Sequence, residues 1–500
     1  MSACLLALDA GTGSGRAAVF DSGGALLACV AREWTYERTD FPGDLAPGHR
    51  FDPDVFWGAL CDVTRAALER ARVAPADVAG VAATSQREGC VFLDRAGREL
   101  LAAPNFDARG ALEGVEIAER IGLERAYRIT GHTPPLIFPL ARYLWWRKRF
   151  PAEPIAGVLM ISDWVTWKLT GERVAEPTNA GESMLYDLER GDWSDEILAA
   201  FDIPREVLPR LVTPGDLAGH VRPAAARQMG LLEGTPVYAG GADTQCALLG
   251  SGVTAVGSAG AVLGTTAPVQ LVSARPFVDL DRYLWAGAHV LPGRFVLESN
   301  AGDGGKAYRW LLELLGVSAE TAGTYERIAA EAAAADPDGA VFSYFGPSIF
   351  NLRTLNPGKP AGILFPYPFG RPRPGRAELL LGFLESLAFA VRANLEQIEA
   401  VAGSAIDGVT LSGGMTQTPL VGRLVAQVTE RSVSVAAVAE SASLGCAVLA
   451  AAGSGLHADV AAAERAMVRQ VELPRSDPGR YPERYRKWRE LYDVLERTNV

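Results

Sequence analysis

Asp9-Ala10-Gly11-Thr12-Gly13-Ser14-Gly15-Arg16 is the stretch on which the fold turns. It joins a short apolar run, Cys4-Leu5-Leu6-Ala7-Leu8, to a string of small residues and hydroxyls. The apolar run reads as a buried strand that carries Asp9 to its end. Glycines at 11, 13 and 15 let backbone N–H groups approach an anion closely, and Thr12 and Ser14 add hydroxyl donors. What comes next separates two kinds of nucleotide loop. Ala17-Ala18-Val19-Phe20, the turn Asp21-Ser22-Gly23-Gly24 and Ala25-Leu26-Leu27-Ala28-Cys29-Val30 predict two strands joined by a hairpin. A dinucleotide loop would instead open a helix with the spacing Gly-x-Gly-x-x-Gly. The residues leave two readings open, a phosphate-gripping hairpin and an ordinary glycine-rich turn.

Composition narrows the field of partners. The 500 residues are 48% hydrophobic and 21% charged, within the range of globular chains, and the length suits two large domains or three smaller ones. A net charge of −11 sets a repulsive long-range field against nucleic acid and anionic membrane, so neither is expected as a partner. An anionic ligand must then be held locally, by backbone donors, a few basic side chains and a divalent cation. The six cysteines, at 4, 29, 61, 90, 246 and 446, form no Cys-x-x-Cys pair and read as buried, reduced thiols of a cytoplasmic protein. No apolar stretch is long enough to span a bilayer.

Further along, Asp52-Pro53 announces a helix, with Asp52 suited to the N-cap and Pro53 to the first helical position. The strand Val78–Thr84 ends in Gln86-Arg87-Glu88-Gly89, and a later loop reads Asn105-Phe106-Asp107-Ala108-Arg109. A second half repeats the theme of apolar runs ending in glycine and hydroxyl clusters. These are Val237–Gly241 before Asp243, Ala261-Val262-Leu263 before Gly264-Thr265-Thr266, and Val409-Thr410-Leu411-Ser412 before Gly413-Gly414. The recurrence predicts two α/β domains of related design, residues 1–248 and 249–500, with a helical tail over 480–500 and a nucleotide clamped between the domains. No Gly-x4-Gly-Lys-Ser/Thr motif occurs, and Gly304-Gly305-Lys306-Ala307 lacks both its spacing and its hydroxyl.

Taken in order, Asp9-x-Gly11-Thr12-x-Ser14-x-Arg16, Ser85-Gln86-Arg87-Glu88-Gly89, Asp107-x-Arg109, Gly240-Gly241-Ala242-Asp243, Gly264-Thr265-Thr266 and Ser412-Gly413-Gly414 resemble the FGGY family of carbohydrate kinases. Arg376–Phe389 is similar to that family's C-terminal signature helix. The resemblance implies two ribonuclease-H-like domains of the actin and hexokinase type, with ATP and Mg²⁺ in the cleft and a small sugar or polyol as phosphoryl acceptor. It also implies a homodimer. By family position Asp243 is the general base, where the residue alone reads as an N-cap for a helix starting at Thr244. Asp9 orients Mg²⁺, where alone it reads as a turn residue. Gly11, Thr12, Gly13, Ser14 and Arg16 hold phosphates from one side, with Gly264, Thr265 and Thr266 opposite, and Gly413, Gly414 and Gln417 line the adenosine. Substrate falls to Arg87, Glu88, Phe106 and Asp107 beside Asp243, although an adjacent Arg-Glu pair alone also reads as a solvated loop. Phe138 and Trp164 are candidates for an apolar wall, and Trp145 and Trp146 read as structural.

The same strings set expectations for the acceptor. Xylulose kinases carry Met-His where this chain has Arg87-Glu88, and glycerol kinases carry Trp where it has Phe106. With Ile161-Ser162-Asp163-Trp164 and Thr178-Asn179-Ala180-Gly181, the pattern looks most like the branch that phosphorylates the five-carbon signal autoinducer-2. Glycerol or a pentulose is the alternative acceptor. A non-catalytic ATP- or sugar-binding regulator of the actin-like superfamily is the alternative from another class.

Overall fold

The computed structural model describes residues 3–317, 324–336, 341–354, 356, 358–366 and 373–499, so Val500 of the predicted tail lies outside the described residues. Strand Cys4–Ala10 is buried along its whole length. Its alternate side chains serve two cores. Cys4, Leu6 and Leu8 pack with Val19, Phe56 and Leu60, while Leu5 and Ala7 pack with Phe20, Leu249 and Leu444. A continuous apolar run is what a strand covered on both faces requires.

The predicted hairpin forms, with Cys4–Ala10 antiparallel to Ser14–Asp21 and that strand antiparallel to Leu26–Glu33. Its turn closes through Gly24 N–H to the Asp21 carbonyl at 3.1 Å, and the Asp21 carboxylate accepts from the Gly23 and Ala25 amides. On its other side Cys4–Ala10 runs parallel to Val78–Ser85, which runs parallel to Pro236–Ala242. Antiparallel Leu217–His220 completes a six-stranded sheet. Helix Pro53–Ala71 covers one face, its Asp52 N-cap accepting from the Asp54 and Val55 amides as the sequence predicts.

The second half repeats this pairing. Ala259–Val262 is antiparallel to Thr266–Ser273 and parallel to Gly408–Ser412, which is parallel to Ser432–Ala436. Thr266–Ser273 is antiparallel to Phe295–Asp303, the counterpart of Leu26–Glu33 in the first sheet. Both sheets therefore share one core of five strands in the order third, second, first, fourth, fifth. The 27-residue helix Arg376–Ala402 packs into the second core with seventeen of its residues buried.

The second half does not keep to its own sheet. Helix Ser441–Gly453 lies against the first sheet and crosses helix Asp243–Gly250 at close range. A Cβ at Gly250 would stand 2.0 Å from the Ser441 carbonyl oxygen, and one at Gly445 equally close to that of Cys246. Only glycine permits that backbone approach. The Cys246 and Cys446 sulfurs meet there at 3.7 Å. No disulfide forms among the described residues; five of the six cysteines are buried and Cys29 is half-buried.

Helix Tyr481–Glu496 is integral to the second core rather than an appendage. Tyr481, Tyr485, Trp488 and Tyr492 recur at helical spacing on its buried face, and the Tyr492 hydroxyl accepts from the Ile349 amide at 2.8 Å. Among the described residues, no helix is long and apolar enough to cross a membrane.

Candidate active site

The register of the first sheet decides which residues meet. Asp9 sits beside Thr84, and Ser85 lies next to both Ala10 and Ala242. Asp9, the turn Gln86-Arg87-Glu88 and Asp243 therefore leave the same edge of three adjacent parallel strands. With strands about 4.8 Å apart, Asp9 and Asp243 stand on the order of 10 Å from each other. The carboxyl ends of parallel strands are where open α/β sheets bind ligands.

Asp9 is buried, and its Oδ2 accepts from Arg16 Nη1 at 2.8 Å. Its Oδ1 has no hydrogen-bond partner among the described residues. The Asp9 carboxylate raises the Arg16 pKa further, so that cation is fixed beside the loop. The hairpin turn is held from its flank: Gln86 Nε2 donates to the Gly11 carbonyl at 3.3 Å and to the Tyr36 hydroxyl at 3.0 Å. Tyr36 in turn donates to the Thr12 carbonyl at 2.6 Å, and Asn105 Nδ2 donates to the Thr12 hydroxyl at 3.1 Å. Gly13 at the tip is exposed, with nothing within 4 Å of where its Cβ would be. The loop is thus braced on one flank and open at its tip, with Gly11 and Thr12 half-buried and Ser14 buried.

Asp243 begins the helix Asp243–Gly250, whose N-cap is Ala242. The carboxylate therefore does not occupy the capping position. Its Oδ1 accepts from the adjacent Thr244 amide at 2.7 Å. Burial pushes its pKa up to about 7, against the opposing pull of Arg87, with Asp9 and Glu182 adding to the rise. A carboxylate tuned to that range is matched to take a proton from a hydroxyl near neutral pH.

Arg87 is buried and committed. Its Nη1 and Nη2 form a two-pronged pair with Glu298 at 2.8 and 2.7 Å, and Nη1 also reaches Glu182 at 3.4 Å. Trp285 lies over the guanidinium at 5.7 Å, and His132 Nε2 is 3.3 Å from Glu182. Glu88 has a φ of 55°, a left-handed conformation that a non-glycine residue adopts only where its surroundings impose it. Arg142 Nη1 donates to its carbonyl at 2.5 Å, which holds that backbone. The Glu88 residue is only 5% exposed, and its pKa is driven well above the usual carboxylate range by burial, with Arg87 opposing and three neighbouring carboxylates adding.

The other predicted substrate residues part ways. Asp107 is fully buried, and its oxygens receive the His49 amide, Arg109 Nε and Arg142. Both oxygens are thus engaged within the protein, and Asp107 ties its loop to strand Gly48–Arg50 and helix Pro139–Arg149. The sequence could not show this, because His49 and Arg142 arrive from distant segments. Phe106 is 42% exposed and packs edge-on against Tyr36 and His49. Trp164 is core, packed with Phe51 and Trp57, whereas Phe138 stands beside His132 and Trp285 behind the Arg87 network. Trp145 and Trp146 are buried as expected.

In the second half three glycine turns converge. Gly305 N–H donates to the Gly264 carbonyl at 2.8 Å, Gly304 N–H to Thr265 at 3.1 Å, and Met415 N–H to Leu263 at 3.1 Å. Gly413 has a φ of 90°, and a Cβ there would stand 2.7 Å from the Leu263 carbonyl oxygen. Thr265, Thr266, Gly414 and Gln417 are open to solvent in whole or in part. Gly304 and Gly305 were not among the predicted site residues. The signal was present in the sequence as a glycine pair between an apolar run and a helix, here Gly305–Leu314. Glu182, Trp285 and Glu298 carried no local signal.

Among the described residues no cluster of three or more His, Cys, Asp or Glu side chains is placed to hold a metal. The unpartnered Asp9 Oδ1 nevertheless suits Mg²⁺, a hard cation that keeps most of its water and takes one or two carboxylates together with phosphate oxygens.

Residues 4–250 match the N-terminal domain of the FGGY family of carbohydrate kinases, and residues 259–454 its C-terminal domain. The chain belongs to that family. It is a sugar kinase, an enzyme that moves a phosphoryl group from ATP to a hydroxyl of a sugar or polyol. Its sequence is 33% identical over 524 residues to an autoinducer-2 kinase of Klebsiella pneumoniae, covering 98% of this chain and 93% of the relative. An autoinducer-2 kinase of Yersinia pseudotuberculosis is 34% identical over 91% of this chain and 86% of its own. A xylulose kinase of Rhodospirillum rubrum superimposes with a TM-score of 0.81 at 25% identity, covering 98% of this chain and 99% of that one. A glycerol kinase of Plasmodium falciparum shares the fold at the same TM-score and 18% identity, over 100% and 99% of the two chains.

Proposed function

We propose that the enzyme phosphorylates the primary hydroxyl of autoinducer-2 or a similarly small, uncharged polyhydroxy ketone, with Asp243 as general base. The observation that carries this is the common strand edge: base, phosphate hairpin and Arg87-Glu88 turn leave three neighbouring strands within reach of one small ligand. The relatives named for autoinducer-2 support the choice of acceptor.

Asp243 takes the proton of the attacking hydroxyl as it leaves. Glu88 lies beside it with no side-chain hydrogen bond among the described residues, so its carboxyl can bond a substrate hydroxyl. Arg87 has five N–H donors and gives three contacts to Glu298 and Glu182, which leaves two for the acceptor. Thr12, Ser14, Arg16 and the Gly11–Gly13 backbone hold phosphates on one side, and Gly264, Thr265 and Thr266 on the other. The three glycine turns of the second half receive the adenosine, with Gly413, Gly414 and Gln417 at its edge. Asp9 would hold Mg²⁺, which when bound supplies charge neutralisation to the phosphates. Residues 1–248 thus form the acceptor and catalytic domain and 249–500 the nucleotide domain, in a cytoplasmic enzyme that pairs as a dimer.

The test is ADP release measured over autoinducer-2, glycerol, D-xylulose and D-gluconate. The reading expects the highest kcat/KM for autoinducer-2. A preference for glycerol or D-xylulose would replace it with the alternative acceptor, and absence of turnover on every compound would sink it.

A further inference from the structure

Arg87 belongs to the first half of the chain, but its principal partner does not. Glu298 lies on strand Phe295–Asp303 of the second sheet, is 2% exposed, and meets the guanidinium with both oxygens. Gln270, from the neighbouring strand Thr266–Ser273, donates Nε2 to Glu298 Oε2 at 2.6 Å. The Gln270 side chain is fully buried, and its Oε1 has no partner among the described residues. A carboxylate has thus been built into the second sheet, braced by an amide and aimed at the arginine beside the base.

That arrangement has a chemical consequence. The fork of a guanidinium is the preferred bidentate receptor for a carboxylate, so an arginine in a sugar pocket is ordinarily an invitation to sugar acids. Here Glu298 already fills the fork. The neighbouring carboxyl groups act in the same direction. Glu88, Glu182 and Asp243 crowd the same space, with Arg87 standing against them and His132 Nε2 3.3 Å from Glu182. A substrate carboxylate would find its receptor occupied by Glu298 and would have to settle among three further carboxyl groups, whereas neutral hydroxyls can donate to these oxygens and accept from the two remaining Arg87 N–H groups.

We propose that Glu298 positions Arg87 and selects uncharged polyhydroxy acceptors over sugar acids, by occupying within the protein the place a substrate carboxylate would take. The inference rests on the reading of the Arg87–Asp243 region as the acceptor pocket. It assigns a specificity role to the second half of the chain, across the cleft from the base.

The experiment compares kcat/KM for autoinducer-2 and D-gluconate, with ATP and Mg²⁺ saturating, in the full-length enzyme and in Glu298→Gln and Glu298→Asp. Wild type is expected to turn over autoinducer-2 and to discriminate strongly against D-gluconate. In Glu298→Gln the selectivity ratio should fall at least about 30-fold, with KM for autoinducer-2 raised and KM for ATP within about 2-fold. Glu298→Asp keeps the charge but shortens the reach, so it should retain rejection of D-gluconate while losing part of the autoinducer-2 affinity. An unchanged ratio in a folded Glu298→Gln enzyme, or equal rises in KM for ATP and acceptor, overturns the Glu298 assignment while leaving the function intact. Wild-type preference for D-gluconate overturns both. Should Glu298→Gln fail to fold, as removal of one partner of a buried pair can cause, Gln270→Met decides. Loosening Glu298 without deleting it should lower the ratio several-fold, and no change there overturns the proposal.

Discussion

The two sheets share one pattern of strand pairing and differ almost completely in what stands at their strand ends. The first sheet ends in charge: Asp9, Arg87, Glu88 and Asp243. The second ends mainly in glycine, at Gly264, Gly304, Gly305, Gly413 and Gly414, with Asp303 closing one strand and Glu440 following another. One scaffold can therefore serve two tasks, because the strand ends are chemically independent of the packing that places them. On the proposed reading, side chains at the first edge do the proton and charge work of the transfer. Bare backbone at the second edge offers N–H groups and space, which a flat nucleotide needs more than it needs charge.

If the charged edge is where the chemistry lies, Asp243→Asn should have the largest effect of any single change. Turnover should fall by about 10²- to 10⁴-fold with ATP affinity retained, the usual scale for loss of a general base. The pH profile sharpens this. With the Asp243 pKa raised to about 7, the carboxylate form needed for catalysis builds up only as pH rises through that value. Wild-type kcat/KM should rise about tenfold per unit below pH 7 and level off above it, and the limb should vanish in the variant. A limb that persists in Asp243→Asn would move the base elsewhere.

Arg87→Ala should come next, and it affects both edges at once. Because Glu298 and Glu182 would be left buried without their cation, unfolding should cost about 3–5 kcal/mol less than in wild type, alongside loss of acceptor binding. Thermal denaturation and acceptor KM together check this. A variant of native stability that merely binds the acceptor poorly would show that the Glu298 pair does not form in solution. Asp9→Asn should act more narrowly, lowering the rate roughly tenfold and shifting the Mg²⁺ requirement upward, since an amide is a poor partner for a hard cation. An unchanged Mg²⁺ titration would count against Asp9 as the ion's contact.

How much of this was legible in the sequence follows from the same contrast. The hairpin after Gly15, the Asp52 cap and the continuous burial of Cys4–Ala10 are local properties, and periodicity and turn chemistry announce them. Asp243 is singled out by its family position, since an Asp after glycines at a strand end reads on its own as an N-cap. The roles of Arg87 and Asp107 could not be separated, because what distinguishes them is non-local. Glu298 reaches Arg87 across 211 residues, and His49 and Arg142 close around Asp107 from two other elements. Gly304-Gly305 is readable as a glycine pair opening a helix, but measured against a P-loop it has the wrong spacing and no hydroxyl. Trp488 and its neighbouring tyrosines have helical spacing, yet spacing alone does not say that helices Arg376–Ala402 and Pro419–Thr429 wait beneath them.

The smallest effects should distinguish the two kinds of glycine. Gly13, on the charged edge, has open space around the position of a Cβ and no positive φ, so Gly13→Ala should leave the melting temperature unchanged. Any rise in KM for ATP then reports contact with the ligand itself. Gly413, on the glycine edge, combines a φ of 90° and ψ of 167° with the Leu263 carbonyl oxygen only 2.7 Å from the place a methyl would take. That backbone region is essentially reserved for glycine and costs other residues roughly 1–3 kcal/mol. Gly413→Ala should therefore lower stability and, by shifting Gly414–Gln417 away from Gly264 and Gly304, raise KM for ATP several-fold with acceptor KM little changed. Equal losses of stability in the two variants would mean that the hairpin tip is packed as tightly as the adenosine turn, and the division of labour between the edges would have to be redrawn.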